Sequence, residues 1–152
     1  MVDRDPTARV GRGVRFDVAA GGVVRLGPGV VVGDGCRFHV RGEVVVGEGT
    51  VLGERCVVLC EARVELGAGC RLGDETVLID AEHRFDDVEV PVRLQGRQAA
   101  PVRVGDRVRL GPGAAVLRGA VVGAGATIGP RTVVTGAVPP GGTVLGAAAV
   151  QG

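Results

Sequence analysis

The chain has 152 residues and two histidines, and one of these, His83, lies in a polar stretch that is acidic at its start. An imidazole has an unperturbed pKa of about 6.5, so it can accept a proton from a hydroxyl or an amine near neutral pH. A general base of this kind helps such a group to attack a carbonyl carbon. A lone histidine in a loop is more often a solvated side chain, so the residue type alone leaves both interpretations of His83 open.

Residue types that are missing narrow the chemistry. The chain has no Ser, Lys, Asn, Tyr or Trp, which excludes a serine hydrolase, a Schiff-base enzyme and a P-loop with its lysine. A zinc site built from three histidines needs one more histidine than the chain contains, and we predict no metal. The formal net charge is +1, which gives no reason to expect a nucleic acid or a membrane surface as partner.

The chain contains four cysteines, a residue type that can bind metals, form disulfides or fill a core. Cys36, Cys56 and Cys70 each stand two residues before a large apolar residue of a repeat, which predicts small core-filling side chains. Cys60 is out of this register and has no His or Cys partner at the spacing of metal ligands, so we predict a surface or corner thiol.

The element that must position these residues is a repeat of six, clearest from Val102 to Pro139. An aliphatic residue recurs at every sixth position, and a small or β-branched residue stands two positions before each. The aliphatic residues are Val104, Leu110, Val116, Val122, Ile128 and Val134, preceded by Val102, Val108, Ala114, Ala120, Ala126 and Thr132. A period of six fits neither a helix nor one continuous strand. It predicts short strands separated by tight corners, three to a coil, in a parallel β-helix.

The same pattern extends towards the N-terminus with a longer coil. The residues predicted to point inward are Leu26, Val32, Phe38, Val46, Leu52, Val58, Leu66, Leu72 and Leu78. Their spacing predicts coils of 20 residues at first and of 18 later. The first coil, roughly Pro6 to Arg25, is the least regular because Arg12 occupies an aliphatic position, and Met1 to Thr7 reads as a loose lead-in. His39 follows Phe38 and is expected to point outward, to the surface or an interface.

We therefore expect one all-β domain over residues 1–152, with a loop excursion at 79–103 where the period breaks. Hydrophobic residues make up 45% of the chain and aromatic residues 2%, which suits a thin prism lined by aliphatic side chains. No apolar run is long enough to span a bilayer and Met1 to Val10 lacks a signal-peptide pattern, so we expect a cytoplasmic protein.

Several segments together resemble the hexapeptide-repeat acyltransferases, closest to the maltose and galactoside O-acetyltransferase type. They are Asp80-Ala-Glu-His83, Pro91, Gln95-Gly96, the segment from Val104 to Gly113, Val133-Val-Thr135 and Val138-Pro-Pro140. The resemblance covers the chain from about Leu26 onward. It implies a left-handed β-helix, although right-handed crossovers dominate parallel β connections in general. It also implies a homotrimer with active sites between subunits, and acyl-CoA as the donor.

The resemblance also assigns roles to single residues. His83 would be the general base, with backbone N–H groups stabilising the oxyanion. Residues that would bind the acceptor are Asp80, Glu82, Phe85 and Gln95. Residues that would bind the CoA donor are Gly111, Pro112, Pro130, Arg131, Thr135 and Gly136. Gly136 stands where the family has a basic residue, and Arg131 or Arg118 could replace that lost positive charge.

The resulting expectation is an enzyme that moves an acetyl or other acyl group from acyl-CoA to a hydroxyl or amine of a small acceptor such as a sugar. The alternative is a catalytically inactive β-helix that acts as a scaffold or binding protein. Three departures from the family pattern favour this alternative: Arg109 replaces an aromatic residue, Gly136 replaces a basic one, and Gly146-Ala-Ala-Ala149 replaces Gly-x-Pro-Ala. Binding of acetyl-CoA distinguishes the two.

Overall fold

The regular secondary structure is built entirely from short β-strands. A computed structural model describes residues 1–83 and 97–146, and within these ranges it contains 22 strands and no helix. Accordingly, no helix in these ranges is long and apolar enough to cross a membrane. The strands wind into a solenoid of about six turns, a left-handed parallel β-helix, which confirms the predicted fold class.

Three parallel sheets run along the solenoid and take successive strands from successive coils. Sheet A contains β1 (Val2–Arg4), β4 (Val23–Leu26), β7 (Glu43–Val46), β10 (Arg63–Leu66), β15 (Val102–Val104), β18 (Val121–Val122) and β21 (Ala137–Val138). Sheet B contains β2 (Arg9–Val10), β5 (Val31–Val32), β8 (Val51–Leu52), β11 (Arg71–Leu72), β16 (Arg109–Leu110), β19 (Thr127–Ile128) and β22 (Thr143–Val144). Sheet C contains β3 (Arg15–Val18), β6 (Arg37–Val40), β9 (Val57–Cys60), β12 (Val77–Ile79), β17 (Ala115–Val116) and β20 (Val133–Val134). A separate antiparallel hairpin is formed by β13 (Ala81–His83) and β14 (Arg97–Ala99).

The pairing between coils confirms the predicted change of period. Residues in contact across neighbouring coils are 20 apart in the early coils and 18 apart in the later ones, and the two ends depart further, with 22 and 16. Examples from the first coil to the last are Val10 with Val32, Leu26 with Val46, Val104 with Val122, and Ile128 with Val144. The cross-section of the solenoid therefore narrows towards the C-terminus.

The core lies along the axis of the prism. Every aliphatic or aromatic residue predicted to point inward from Leu26 onward is buried, as is each small residue that precedes one between Val102 and Thr132. All four cysteines are buried and free, so the prediction for Cys36, Cys56 and Cys70 is confirmed and the one for Cys60 is wrong. Cys60 is buried because β9 has four residues, and its second inward position pairs with the inward Val40 of β6.

The N-terminal coil corrects two expectations. Met1 to Thr7 is not a loose lead-in, because Val2 to Arg4 pair in register with Val24 to Leu26 of β4. The inward position of the first coil in sheet B is filled by Val10, which pairs with Val32, and Arg12 lies in the following turn. Phe16 stacks on the buried Phe38 with ring centroids 4.8 Å apart, so aromatic packing covers the wide end of the core.

Corners of the solenoid carry residues in the left-handed region of φ. Glycine occupies most of these positions, but Arg55, Glu75, Arg107 and Arg131 adopt φ between 55° and 60° there. A residue with a Cβ atom costs roughly 1 kcal/mol or more in this region, so the coil geometry imposes this conformation at those four corners.

Candidate active site

A hairpin interrupts the solenoid at the corner between sheets C and A, within the predicted excursion. We call β13 and β14 the arm. Ala81 pairs with Ala99, Glu82 with Gln98, and His83 with Arg97 in antiparallel register. His83 is therefore the last residue of the outgoing strand. Phe85 and Gln95, both predicted to bind the acceptor, lie outside the described residues.

The base of the arm is fixed by Asp80, the residue directly before it. Its carboxylate is fully buried, and it accepts three backbone hydrogen bonds. The N–H of Glu61 donates to Oδ1 at 2.7 Å, and those of Ala62 and Arg63 donate to Oδ2 at 2.8 and 2.7 Å. The backbone carbonyl of Asp80 accepts a further bond at 2.9 Å from the N–H of Ala100, on the returning side of the arm.

The carboxylate of Asp80 replaces the backbone carbonyls that the next coil would otherwise offer at this corner. One coil earlier, the N–H groups of Arg41 and Glu43 donate to the carbonyls of Cys60 and Ala62 below them, at 2.8 and 3.1 Å. At Asp80 the chain leaves the solenoid, so the corresponding N–H groups of the next corner would lose their partners. The two side-chain oxygens supply the acceptors instead. The sequence predicts acceptor contact for Asp80, whereas this geometry gives it a structural role at the base of the arm.

The opposite side of the arm is held by an ion pair. Both Nε and Nη2 of Arg118 donate to Oε1 of Glu82, at 3.1 and 2.6 Å. The Glu82 side chain is half exposed, so this pair is worth at most about 1 kcal/mol. It also occupies the guanidinium of Arg118, which leaves Arg131 as the stronger candidate to supply charge to the donor.

Cys60 lies beneath the arm and is not suited to be a nucleophile. Burial raises the pKa of its thiol to about 12, and the neighbouring Asp80 carboxylate contributes to the same shift. The thiol therefore stays protonated at neutral pH, and its Sγ lies 3.4 Å from the carbonyl oxygen of Glu43.

A groove of about 450 Å³ begins at the arm and runs along the outer face of sheet C towards the wide end. Its floor is a ladder of outward side chains that pair in register from coil to coil: Asp17, His39, Leu59 and Ile79. Ala81, the first residue of the arm, closes the groove at one end. His39 is exposed, as predicted, and its Nδ1 lies 3.2 Å from Oδ2 of Asp17 at the other end.

The residues predicted to bind the donor lie at the two corners that border the narrow half of sheet C. At the corner between sheets B and C, Gly111 and Pro112 stack on the next coil, where the N–H of Arg131 donates to the carbonyl of Pro112 at 3.0 Å. Pro130 is exposed beside Arg131. At the corner between sheets C and A, Thr135 and Gly136 follow β20. The groove, the arm and these corners therefore all border one face of the solenoid, that of sheet C.

From the sequence alone, Asp17 and His39 are not predicted to lie in one groove with the first residue of the arm. The signal that could have found them is the coil length. Residues 39, 59 and 79 are 20 apart, and the first coil adds two residues, so these positions share one ladder on one face.

Comparison with known proteins agrees with the repeats and the fold. Residues 101–136 match the family model of the bacterial transferase hexapeptide, six repeats. A protein named a probable acetyltransferase in Mycobacterium tuberculosis is 39% identical over 72 residues, which are 47% of this chain and 24% of that protein. This chain thus spans about a quarter of the length of that relative.

Two solved structures show the same architecture. A hexapeptide-repeat-containing acetyltransferase from Vibrio cholerae superposes with a TM-score of 0.67 at 22% identity, over 73% of this chain and 62% of that one. A galactoside acetyltransferase in complex with coenzyme A gives a TM-score of 0.64 at 16% identity, over 89% and 58% of the two chains. Together with the family-model match and the Mycobacterium tuberculosis relative, these similarities confirm the resemblance predicted from the sequence. At such low identity, the two structures by themselves show only the fold.

Proposed function

We propose that this chain transfers an acetyl or other acyl group from acyl-CoA to a hydroxyl or amine of a small acceptor such as a sugar. The observation that carries the proposal is the arrangement on sheet C. The arm that bears His83 lies between a groove on the wide side and, on the narrow side, the corners that hold Gly111, Pro112, Pro130, Arg131, Thr135 and Gly136. A donor and an acceptor bound on either side of the arm would approach each other at His83.

In this proposal His83 is the general base that takes the proton of the attacking hydroxyl or amine. The acyl carbonyl carbon gains a bond to the acceptor oxygen or nitrogen, and its bond to the sulfur of CoA breaks. The imidazole takes up the proton and then donates it to the thiolate of CoA, so free CoA is the second product. Asp80 and the pair of Glu82 with Arg118 fix the base of the arm, which keeps the position of His83 reproducible.

We also propose that the protein assembles as a homotrimer. Beside the groove, the outward residues on the middle and narrow half of sheet C are also apolar: Val57, Val77, Ala115, Leu117 and Val133, each only partly buried. Closed cyclic assembly would bury such a face without leaving an unpaired interface. Sedimentation equilibrium at micromolar concentration tests this proposal, and a monomer mass would contradict it.

Turnover of acetyl-CoA with a panel of sugars and amino sugars tests the activity. Released CoA is followed with Ellman's reagent, which the buried cysteines should not consume. His83→Gln should lower kcat by about 10² to 10⁴, whereas Arg71→Gln, an exposed position on sheet B, should leave turnover unchanged. Equal turnover in the His83 variant would contradict its role as a base.

Binding of the donor separates this proposal from the inactive scaffold that the three sequence departures favour. A ligand that binds only the folded state stabilises it by about 2.7 kcal/mol at a hundredfold excess over Kd. Acetyl-CoA at millimolar concentration should therefore raise the melting temperature. A melting curve that does not move would favour the scaffold.

A further inference from the structure

The end of the groove farthest from the arm is rich in positive charge. Arg15 and Arg37 are neighbours in register on β3 and β6, both exposed on the outer face of sheet C. They border a second depression of about 430 Å³, which shares Asp17 and His39 with the groove. The two depressions therefore adjoin at these two side chains.

The charges in this region do not cancel. Nδ1 of His39 lies 3.2 Å from Oδ2 of Asp17, and Nε of Arg41 lies 3.9 Å from Oε2 of Glu61. Neither Arg15 nor Arg37 forms an ion pair or a side-chain hydrogen bond within the described residues. The Cα atoms of these two arginines are about 4.8 Å apart, the usual spacing of neighbouring strands. Their guanidinium groups are left without a counter-ion, and paired guanidinium groups of this kind bind a carboxylate or a phosphate.

The middle of the groove has a different character. Leu59 and Ile79 line it between His39 and the arm. Strands in a sheet are about 4.8 Å apart, so Ile79 and His39 are separated by about 10 Å, and Arg37 lies two residues along the strand from His39. A molecule that reaches from the arm to the arginines would lay its less polar surface on Leu59 and Ile79.

We propose that the acceptor carries an anionic group, a carboxylate or a phosphate, which Arg15 and Arg37 bind at the wide end of the groove while the group to be acylated lies at the arm. This inference rests on the proposed function and names the acceptor class: an acidic or phosphorylated sugar or amino sugar. His39 and Asp17 lie between the two ends, where their polar atoms can contact ring hydroxyls.

Matched acceptor pairs test this inference. Glucosamine is compared with glucosamine 6-phosphate, and galactose with galacturonate, at saturating acetyl-CoA. The anionic member of at least one pair should have a kcat/KM higher by roughly 10- to 100-fold, the effect of charged hydrogen bonds to a guanidinium. The double variant Arg15→Gln, Arg37→Gln should remove this preference. The double variant Arg9→Gln, Arg71→Gln, on exposed positions of sheet B, is the matched control and should keep the preference.

Direct binding separates this inference from the proposed function. Binding of glucosamine 6-phosphate and of galacturonate, without donor, is measured by NMR titration, with inorganic phosphate as competitor. Anionic sugars that bind wild type and the control but not the Arg15, Arg37 variant support the inference even if no sugar is acylated, in which case only the proposed activity fails. If inorganic phosphate displaces the bound sugar, the site is assigned to phosphate. If inorganic phosphate does not displace it, the site is assigned to the carboxylate. If neither anionic sugar binds, or if neutral and anionic members are acylated equally well, the inference is wrong.

Discussion

Replacing Asp80 with asparagine should loosen the arm while leaving the shape of the side chain nearly unchanged. The carboxylate accepts N–H groups at both oxygens, one at Oδ1 and two at Oδ2. An amide keeps one acceptor and turns the other side into an N–H₂ donor. Whichever way the amide lies, at least one backbone N–H then faces another donor in a buried place.

The cost follows from these contacts. A hydrogen bond to a charged group is worth about 1.5–3 kcal/mol, and a buried N–H left unpaired costs about 1–3 kcal/mol. Asp80→Asn should therefore lower the free energy of unfolding by about 2–4 kcal/mol. For a chain of this size each kcal/mol corresponds to about 2–4 °C, so the melting temperature should fall by roughly 5–15 °C.

Asp74→Asn is the matched control. Asp74 is exposed and accepts a single backbone bond, from the N–H of Glu54 to Oδ1 at 2.8 Å. The amide oxygen of asparagine can accept that bond in the same place, so this substitution should change the free energy of unfolding by less than about 1 kcal/mol. The difference between the two variants measures what the buried carboxylate of Asp80, with hydrogen bonds at both oxygens, adds over an exposed one with a single bond.

The assays are thermal unfolding followed by circular dichroism and amide hydrogen exchange. Exchange should accelerate first at the N–H groups of Glu61, Ala62, Arg63 and Ala100, which Asp80 holds. With an active acceptor, kcat should fall while the KM for acetyl-CoA stays the same, because the corners proposed to bind the donor are on other coils. An Asp80→Asn protein that melts within about 2 °C of wild type, with unchanged exchange at these four amides, would refute the reasoning.

Four further predictions concern the corners and the thiols. Arg131→Gly should keep or raise the melting temperature, because glycine relieves the cost of φ near 55°, and should raise the KM for acetyl-CoA if the guanidinium binds the donor. Gly111→Ala should destabilise by about 1–3 kcal/mol, since its Cβ would lie 2.6 Å from the backbone nitrogen of Pro130, and denaturant unfolding measures this. The cysteines should resist Ellman's reagent at pH 8 until the chain is unfolded. The pKa of the Cys60 thiol is raised in the folded state, so the stabilisation from the protonated thiol should be complete below about pH 9 and lost as the pH rises towards 12. The Cys60→Ala variant should lose less stability over the same pH range.

The sequence predicts the coils well because each inward position repeats the same physical requirement. A small residue and an aliphatic one must fill the same layer of a narrow core, and Ala114 with Val116 meets that requirement as Val108 with Leu110 does. The change from 20 to 18 residues is visible as a change in spacing. The first coil is not predicted in this way. Val2 to Arg4 join sheet A through backbone hydrogen bonds to β4, and no pattern of side chains in the sequence indicates that pairing.

The candidate site is only partly predictable for a related reason. His83 stands out as a histidine where the period breaks. Asp80 reads from the sequence as one more acidic loop residue, and its part in completing the hydrogen bonds of another coil depends on contacts 17 to 19 residues away. Likewise Asp17 and His39 meet only because the coils place them in adjacent strands.

The taper of the solenoid means that its coils are not interchangeable modules. Strands β4, β7 and β10 of sheet A and β3, β6 and β9 of sheet C have four residues, whereas β18, β21, β17 and β20 have two and sheet B has two throughout. A coil from the wide end transplanted to the narrow end would bring a second inward side chain, such as Val40 or Cys60, into a layer with no room for it. Duplication should therefore succeed only between coils of equal length, so the solenoid can be extended in units of 20 residues near the groove and of 18 beyond the arm. Lengthening the solenoid on the side of the groove and lengthening it beyond the arm are thus separate design problems.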